Sequence, residues 1–360
     1  MNRKIKIGII GTGGIAHAHM RAYQQFADVE IVGGADLIHG KARTFFDQYG
    51  LQSVPAFDSA AELIKNIAMD GVSINTYNTT HAEYSIMALE AGLHVQCEKP
   101  MSYTLQEAVD MVKAARKANR MLTIGFQTRY HYLRQKVDEM IGTGILGKIY
   151  YTQSGGGRRR GIPGGSFTEA AKAGFGCLGD IGCYSIDECL HALGYPRPLT
   201  VSAVATDHFG KNPRYWHDAA HFDVDDFSVA FVRLEDDLTY VFKQSWAMHA
   251  NSLGDTLWLG TDGGLMVCNN LDQAGNSSPV VYYTDVNGHP TDSTINVNFN
   301  KPPRVMDDFT AKVRAYCDAI RDGLPAPIPG EEILVNQAIC DGIYRSSKLK
   351  CEVEINIPPV

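Results

Sequence analysis

The chain has 360 residues, 44% of them hydrophobic and 20% charged, and a formal net charge of −7. That length suits two domains rather than one core, and the acidic balance excludes a nucleic-acid surface, which needs a basic stripe. No apolar run approaches the roughly 18–20 residues of a membrane span. The basic N-terminus leads into a strand-length segment rather than a signal peptide. Eight scattered cysteines without a CxxC pair read as reduced thiols of a cytoplasmic protein.

Strand patterns fall at Ile5–Ile10, Glu30–Ala35, Gly71–Asn75, His94–Cys97 and Met121–Gly125. Helical patterns lie between them, near Ile15–Gln25, Gly40–Tyr49, Ser59–Asn66, Ala82–Ala91 and Thr104–Ala118. This alternation predicts a doubly wound parallel sheet over residues 1–126. A second domain, 127–360, opens with a helix over 131–142 and a glycine-rich stretch from Gly155 to Gly182. It continues with period-two strands at Val224–Leu234, Thr239–Trp246 and Thr256–Gly260, which predict an open, mainly antiparallel sheet. In Thr239–Trp246 the residues Tyr240, Phe242, Gln244 and Trp246 share one face. Two late helices, Val305–Asp322 and Glu331–Lys348, close the chain.

The first strand feeds Gly11-Thr12-Gly13-Gly14-Ile15-Ala16, a G-x-G-x-x-A turn. In that context Gly11 permits the tight turn, Gly13 admits a pyrophosphate close to the backbone, and Ala16 lets helix and strand pack. Asp36 ends the second strand, where a carboxylate bonds the adenosine ribose. It also repels a 2′-phosphate, so NAD is favoured over NADP, although Lys41 and Arg43 lie within reach of a phosphate in the next helix.

Further along stand Thr76-Tyr77-Asn78-Thr-Thr-His81, Ala91 to Cys97 with Glu98-Lys99-Pro100, Gly176 to Asp187, and Pro327 through Tyr344. With these segments the chain resembles the Gfo/Idh/MocA oxidoreductases, named for glucose–fructose oxidoreductase and inositol dehydrogenase. The resemblance implies a Rossmann domain plus a substrate domain whose sheet often buries its outer face in a homo-oligomer. It implies reversible hydride transfer between a nicotinamide and a CH–OH carbon of a sugar, polyol or glycoside. By position, Thr76, Asn78, His81 and Glu98 line the cofactor, Lys99 sits beside the nicotinamide ribose and the reacting hydroxyl, and Asp180 holds the substrate. Two residues depart from the family pattern. Tyr77 stands where proline is common, and Tyr184 occupies the position of a frequent catalytic histidine, as in the family's tyrosine-containing branches.

Alcohol oxidation needs a base for the hydroxyl proton as hydride leaves carbon. Tyrosine ordinarily titrates near pH 10, so action near pH 7 requires a fall of about 3 pH units, worth about 4 kcal/mol. A nearby ammonium and an oxidised nicotinamide both favour the phenolate. The expectation is that Lys99 and Tyr184 share the proton while Asp180 orients both.

Other candidates carry weaker signals. Arg158, Arg159 and Arg160 leave a strand; Arg158 is a candidate for sugar oxygens or a carboxylate, with solvent or subunit contacts as the alternative. Gln127 and Arg129, after the last parallel strand, are candidates to touch nicotinamide or substrate. His217, His221, Asp223, Asp225 and Asp226 read as a polar loop entering a strand, because their spacing fixes no metal geometry. Trp246 and His249 either wall a sugar site or pack in the core. The reading is an NAD-dependent oxidoreductase of a sugar or glycoside, with carbon 3 of a glucopyranosyl unit as the suggested position. A glycosidase working by transient oxidation and a non-catalytic NAD-binding sensor are the alternatives.

Overall fold

A computed structural model describes residues 3–268, 280–297 and 306–360. The chain forms two compact units, the first comprising 3–130, 306–334 and 358–360, the second 131–268, 280–297 and 335–357.

The first unit holds a parallel sheet of β1 Ile5–Ile10, β2 Val29–Ala35, β3 Ala56–Phe57, β4 Gly71–Ile74, β5 His94–Cys97 and β6 Leu122–Ile124. Its order is β3-β2-β1-β4-β5-β6, all pairs parallel. The strand order reverses between β1 and β4, and ligands of such sheets bind outside the carboxyl ends of the strands at that point. Five helices connect the strands: α1 Gly14–Tyr23, α2 Lys41–Gln48, α3 Ala60–Asn66, α4 His81–Glu90 and α5 Leu105–Ala118. Helix α5 starts sharply because Thr104 accepts from Glu107 N–H while the Glu107 carboxylate accepts from Thr104 N–H.

In the second unit come α6 Tyr132–Gly142, β7 Ile149–Gln153, α7 Ala170–Ala173, α8 Cys183–Leu190, β8 Pro198–Thr206, β9 Phe227–Leu234 and β10 Thr239–Ser245. Then follow β11 Thr256–Gly260, β12 Gly264–Val267, β13 Val280–Val286 and β14 His289–Ile295. The two late helices are α9 Asp308–Asp322 and α10 Gly330–Leu349, and β15 Val353–Glu354 ends the chain's regular structure. Among the described residues nine strands form one sheet, β14-β13-β12-β11-β7-β10-β9-β8-β15, antiparallel except where β10 meets β7. Tyr240, Phe242, Gln244 and Trp246 are all buried, as their alternation requires.

The division at residue 126 gave everything after it to the second domain, whereas the structure gives α9 to the first unit. Val313, Tyr316 and Cys317 of α9 are fully buried in one cluster with Ile5, Ile7, Ile9 and Met20. Each such side chain contributes roughly 1.5–3 kcal/mol on burial. The start expected for this helix, Val305, lies outside the described residues. Val224–Asp226 do not join β9, because Asp225 and Asp226 are bonded elsewhere.

Candidate active site

Strand β1 runs directly into Gly11, whose φ of +86° is left-handed. A side chain there would meet the Asn75 carbonyl at 2.7 Å and Thr76 Cγ2 at 2.9 Å. The first glycine therefore turns the chain and lets the loop after β4 close on it. Around Gly13 and Gly14 the space is open. Helix α1 begins there without a side-chain cap or an acidic first turn, leaving its N–H groups and dipole directed at an anion site.

Asp36 is anchored from several directions. Thr12 donates to Oδ2 through its N–H at 2.9 Å and its hydroxyl at 2.8 Å, and Ile38 N–H donates to Oδ1 at 3.0 Å. Lys41 Nζ lies 3.1 Å from Oδ2. Burial pushes this carboxyl up, but these hydrogen bonds outweigh it and hold Asp36 below the usual carboxylate range. Arg43 is turned away, its guanidinium bonded to Asp47 and to the carbonyls of Leu51 and Val54. Asn75, buried beside Gly11, has both side-chain amide atoms without a hydrogen-bond partner among the described residues. An open glycine turn, an uncapped helix start, an anchored carboxylate and an orphaned amide together fit a dinucleotide. Replacing Asp36 by Ser is expected to lower kcat/KM with NAD about 10–100-fold, the worth of a charged hydrogen bond. The preference for NAD over NADP should narrow with it, measured as kcat/KM for both nucleotides.

Thr76 receives the Thr80 hydroxyl at 2.9 Å, and Asn78 opens a short 3₁₀ turn, Asn78–Thr80, into α4. His81 is buried, with Nδ1 2.8 Å from the Pro100 carbonyl, which fixes the proton on Nδ1. Burial lowers its pKa, so its Nε2 stays without a proton. Gln127 is half-buried in a turn after β6, its N–H on the Gly125 carbonyl at 3.2 Å. Tyr77 is exposed.

Glu98 follows β5 and is buried. Its Oε1 meets His19 Nε2 at 2.8 Å and the Lys312 ammonium, and its Oε2 accepts the Lys99 N–H at 3.3 Å. Burial opposes the charge, but Lys312 and His19 hold Glu98 well below the usual carboxylate range. Gly125 leaves room for this carboxylate, since a Cβ would sit 3.0 Å from both oxygens. Lys99 is half-buried and the Lys99–Pro100 peptide is cis. Sequence reasoning missed His19 and Lys312. The signal was available for the lysine: Phe309, Val313, Tyr316, Cys317 and Ile320 form an apolar helical stripe, and Lys312 interrupts it.

In the second unit, Asp180 lies in a π-helical turn, Leu178–Gly182, that runs into α8, and Tyr184 follows one turn later. Both are half-buried. Trp246, fully buried against Cys177, Phe222 and Val224, donates its indole N–H to Asp180 Oδ2 at 3.0 Å. It thus packs in the core and also bonds a candidate site residue. Asp225 caps the segment, accepting from Gly176 N–H at 2.7 Å, Leu178 N–H at 2.9 Å and the Cys177 thiol at 3.0 Å. Asp226 accepts from Phe209 and Gly210 N–H. Burial raises both carboxyls, Asp226 to about 6. Asp223 receives Ala170 N–H, His221 pairs with Asp218, and His217 is exposed. Among the described residues no group of three His, Cys, Asp or Glu is placed to hold a metal ion. Loss of the Asp225 cap through Asp225→Ala is expected to cost about 2 kcal/mol, the upper end for a cap, read from urea unfolding.

Arg158 is exposed, with its guanidinium on the Gly161 carbonyl at 3.3 Å. Arg160 lies over the Phe209 and Tyr215 rings at 4.9 and 4.8 Å. His249 packs on the same two rings. Arg129 is paired with Glu332 at 2.9 Å.

The first unit's sheet and cradle define a Rossmann domain built to bind a dinucleotide. A model described as "Oxidoreductase family, NAD-binding Rossmann fold" matches residues 5–126, and the "GFO/IDH/MocA C-terminal domain" matches residues 134–266. The chain belongs to the Gfo/Idh/MocA oxidoreductase family, and its cofactor is NAD. D-glucoside 3-dehydrogenase of Escherichia coli is 36% identical over 201 residues, 55% of this chain and 57% of that protein. Glucose-6-phosphate 3-dehydrogenase of Bacillus subtilis is 33% identical over 187 residues, 51% of this chain and 52% of that protein. The chain therefore spans about half the length of the curated relatives it matches. Aldose-aldose oxidoreductase from Caulobacter crescentus, complexed with glycerol, has the same fold, with a TM-score of 0.77 at 22% identity over 98% of this chain and all of that one. No helix among the described residues is long and apolar enough to cross a membrane.

Proposed function

We propose that this chain is an NAD-dependent dehydrogenase that oxidises a CH–OH carbon of a sugar, glycoside or polyol, with carbon 3 of a glucopyranosyl unit as the reacting position. The observation that carries the reading is the placement of Lys99. It stands just beyond β5 at the carboxyl edge of the parallel sheet, between a backbone N–H held by Glu98 and a Pro100 carbonyl held by His81. The position follows the relatives named as 3-dehydrogenases of glucosides and glucose phosphate.

When bound, NAD supplies the acceptor for the hydride that leaves carbon. The protein's share is the proton and the orientation. Lys99 is assigned to hold the hydroxyl oxygen, Tyr184 to take up the hydroxyl proton as hydride departs, and Asp180, fixed by the Trp246 indole, to bind a neighbouring sugar hydroxyl. Arg158 contributes to binding charged or hydroxylated substituents. Thr76, Asn78, His81, Glu98 and Gln127 complete the cofactor's surroundings. Appearance of NADH absorbance near 340 nm across a panel of glucosides, glucose phosphates and inositols tests the reading. A glucoside turned over to its 3-keto product supports it, and no reduction of NAD by any panel member overturns it.

The protein is further proposed to work as a cytoplasmic homo-oligomer. Val204, Val229, Phe231 and Val241 neighbour one another through the register on one sheet face, with Val204 and Phe231 exposed at 54% and 40%. Exposed apolar patches of this kind mark association surfaces. Light scattering after gel filtration should give a multiple of the 39.5 kDa chain.

A further inference from the structure

We infer that Lys312 is a positioning residue for the redox site, acting through Glu98 on the backbone of Lys99. The inference rests on the proposed role of Lys99 and adds a residue from the far end of the chain to it.

Lys312 is 2% exposed, an unusual state for a lysine. Its ammonium bonds Glu98 Oε1 and lies 3.8 Å from the centre of the Phe309 ring. The same ring meets His19 edge-on at 4.9 Å, and His19 Nε2 shares the Glu98 oxygen. One carboxylate is thus gripped from α1 and α9 on one oxygen, while its other oxygen accepts the N–H of Lys99. A buried carboxylate keeps its charge only when paired, and a charged acceptor makes the stronger hydrogen bond. Lys312 therefore decides how firmly the Glu98–Lys99 peptide is held. Groups facing Glu98 are His19 and Tyr23 from α1, His81 from α4, Lys312 from α9, and its own neighbours Cys97 and Lys99. The ammonium charges of Lys312 and Lys99 also oppose each other.

The test uses Lys312→Gln and the neutral double variant Glu98→Gln/Lys312→Met. Removing both charges together is nearly neutral for folding, whereas removing one strands the other. The double variant alone therefore decides if Lys312→Gln fails to fold. Each folded variant is measured for kcat, its pH profile and the NAD dissociation constant by fluorescence titration. Expected in both is a fall in kcat of roughly 10- to 100-fold, the scale of a small misplacement of a reacting group, and in Lys312→Gln, which leaves every proposed cofactor residue in place, NAD affinity stays within about threefold. In Lys312→Gln the midpoint of the kcat profile should also rise, because a cation that opposed the Lys99 proton is gone. A double variant with wild-type kcat would show a merely structural pair and overturn the inference. Lys99→Ala is run alongside: wild-type turnover there removes the reading of the site itself, a separate outcome.

Discussion

Lys99→Ala is expected to lower kcat by about 10²–10⁴-fold, the range for one acid–base group, while NAD binds as tightly as before. The separation of the two effects follows from how the position is built. The backbone on both sides of Lys99 is held by other residues, through the Glu98 carboxylate on its N–H and through His81 on the Pro100 carbonyl. Truncating the side chain at Cβ touches neither bond. The groups proposed to grip the dinucleotide, the turn at Gly11 and the Asp36 carboxylate, also lie at other strand ends of the sheet. What disappears is the ammonium proposed to hold the reacting oxygen. Lys99→Arg is expected to fail almost as badly, because a guanidinium keeps its proton and cannot share it. Single-turnover formation of NADH, set against NAD affinity from fluorescence titration, checks both variants. Turnover near the wild-type rate in Lys99→Ala would remove the proposed chemistry.

The parts of this site that are legible in the sequence are the local ones. Gly11, Gly13 and Asp36 announce themselves because a strand, a turn and a second strand end occur in fixed order over about thirty residues. Glu98-Lys99-Pro100, Asp180 and Tyr184 are legible through resemblance to the family's segments. What the sequence hides is contact between distant segments. His19 and Lys312 are nearly three hundred positions apart and share one carboxylate oxygen. The lysine in an apolar stripe was visible, but its partner was not. The same blindness misplaced α9, whose apolar face fits a sheet completed almost two hundred residues earlier. Asp225 reads as a loop acid, yet it is a buried cap for a segment nearly fifty residues away. The hairpin of β13 and β14 is a different kind of miss. Asn287 and Gly288, both left-handed, make the two-residue turn, but Pro290 and the run of polar residues around it break the apolar alternation that would mark a strand.

Tyr184→Phe is expected to cost turnover by a similar factor of about 10²–10⁴, and here the split between kcat and KM carries the argument. Tyr184 begins its helix one turn after Asp180, on a segment whose start is pinned by Asp225 and whose Asp180 is pinned by the Trp246 indole. Removing only the hydroxyl leaves the ring, the helix and the Asp180–Trp246 bond in place, so the fold and the substrate's orientation survive. A phenol that passes the hydroxyl proton is needed only as the hydride departs, so its loss lowers kcat and kcat/KM together. A phenol that merely binds a sugar oxygen contributes equally before and during the reaction, so its loss raises KM and leaves kcat alone. The expected outcome is the first pattern, with the acid limb of the kcat–pH profile altered. The second would make Tyr184 a binding residue and leave the proton to Lys99.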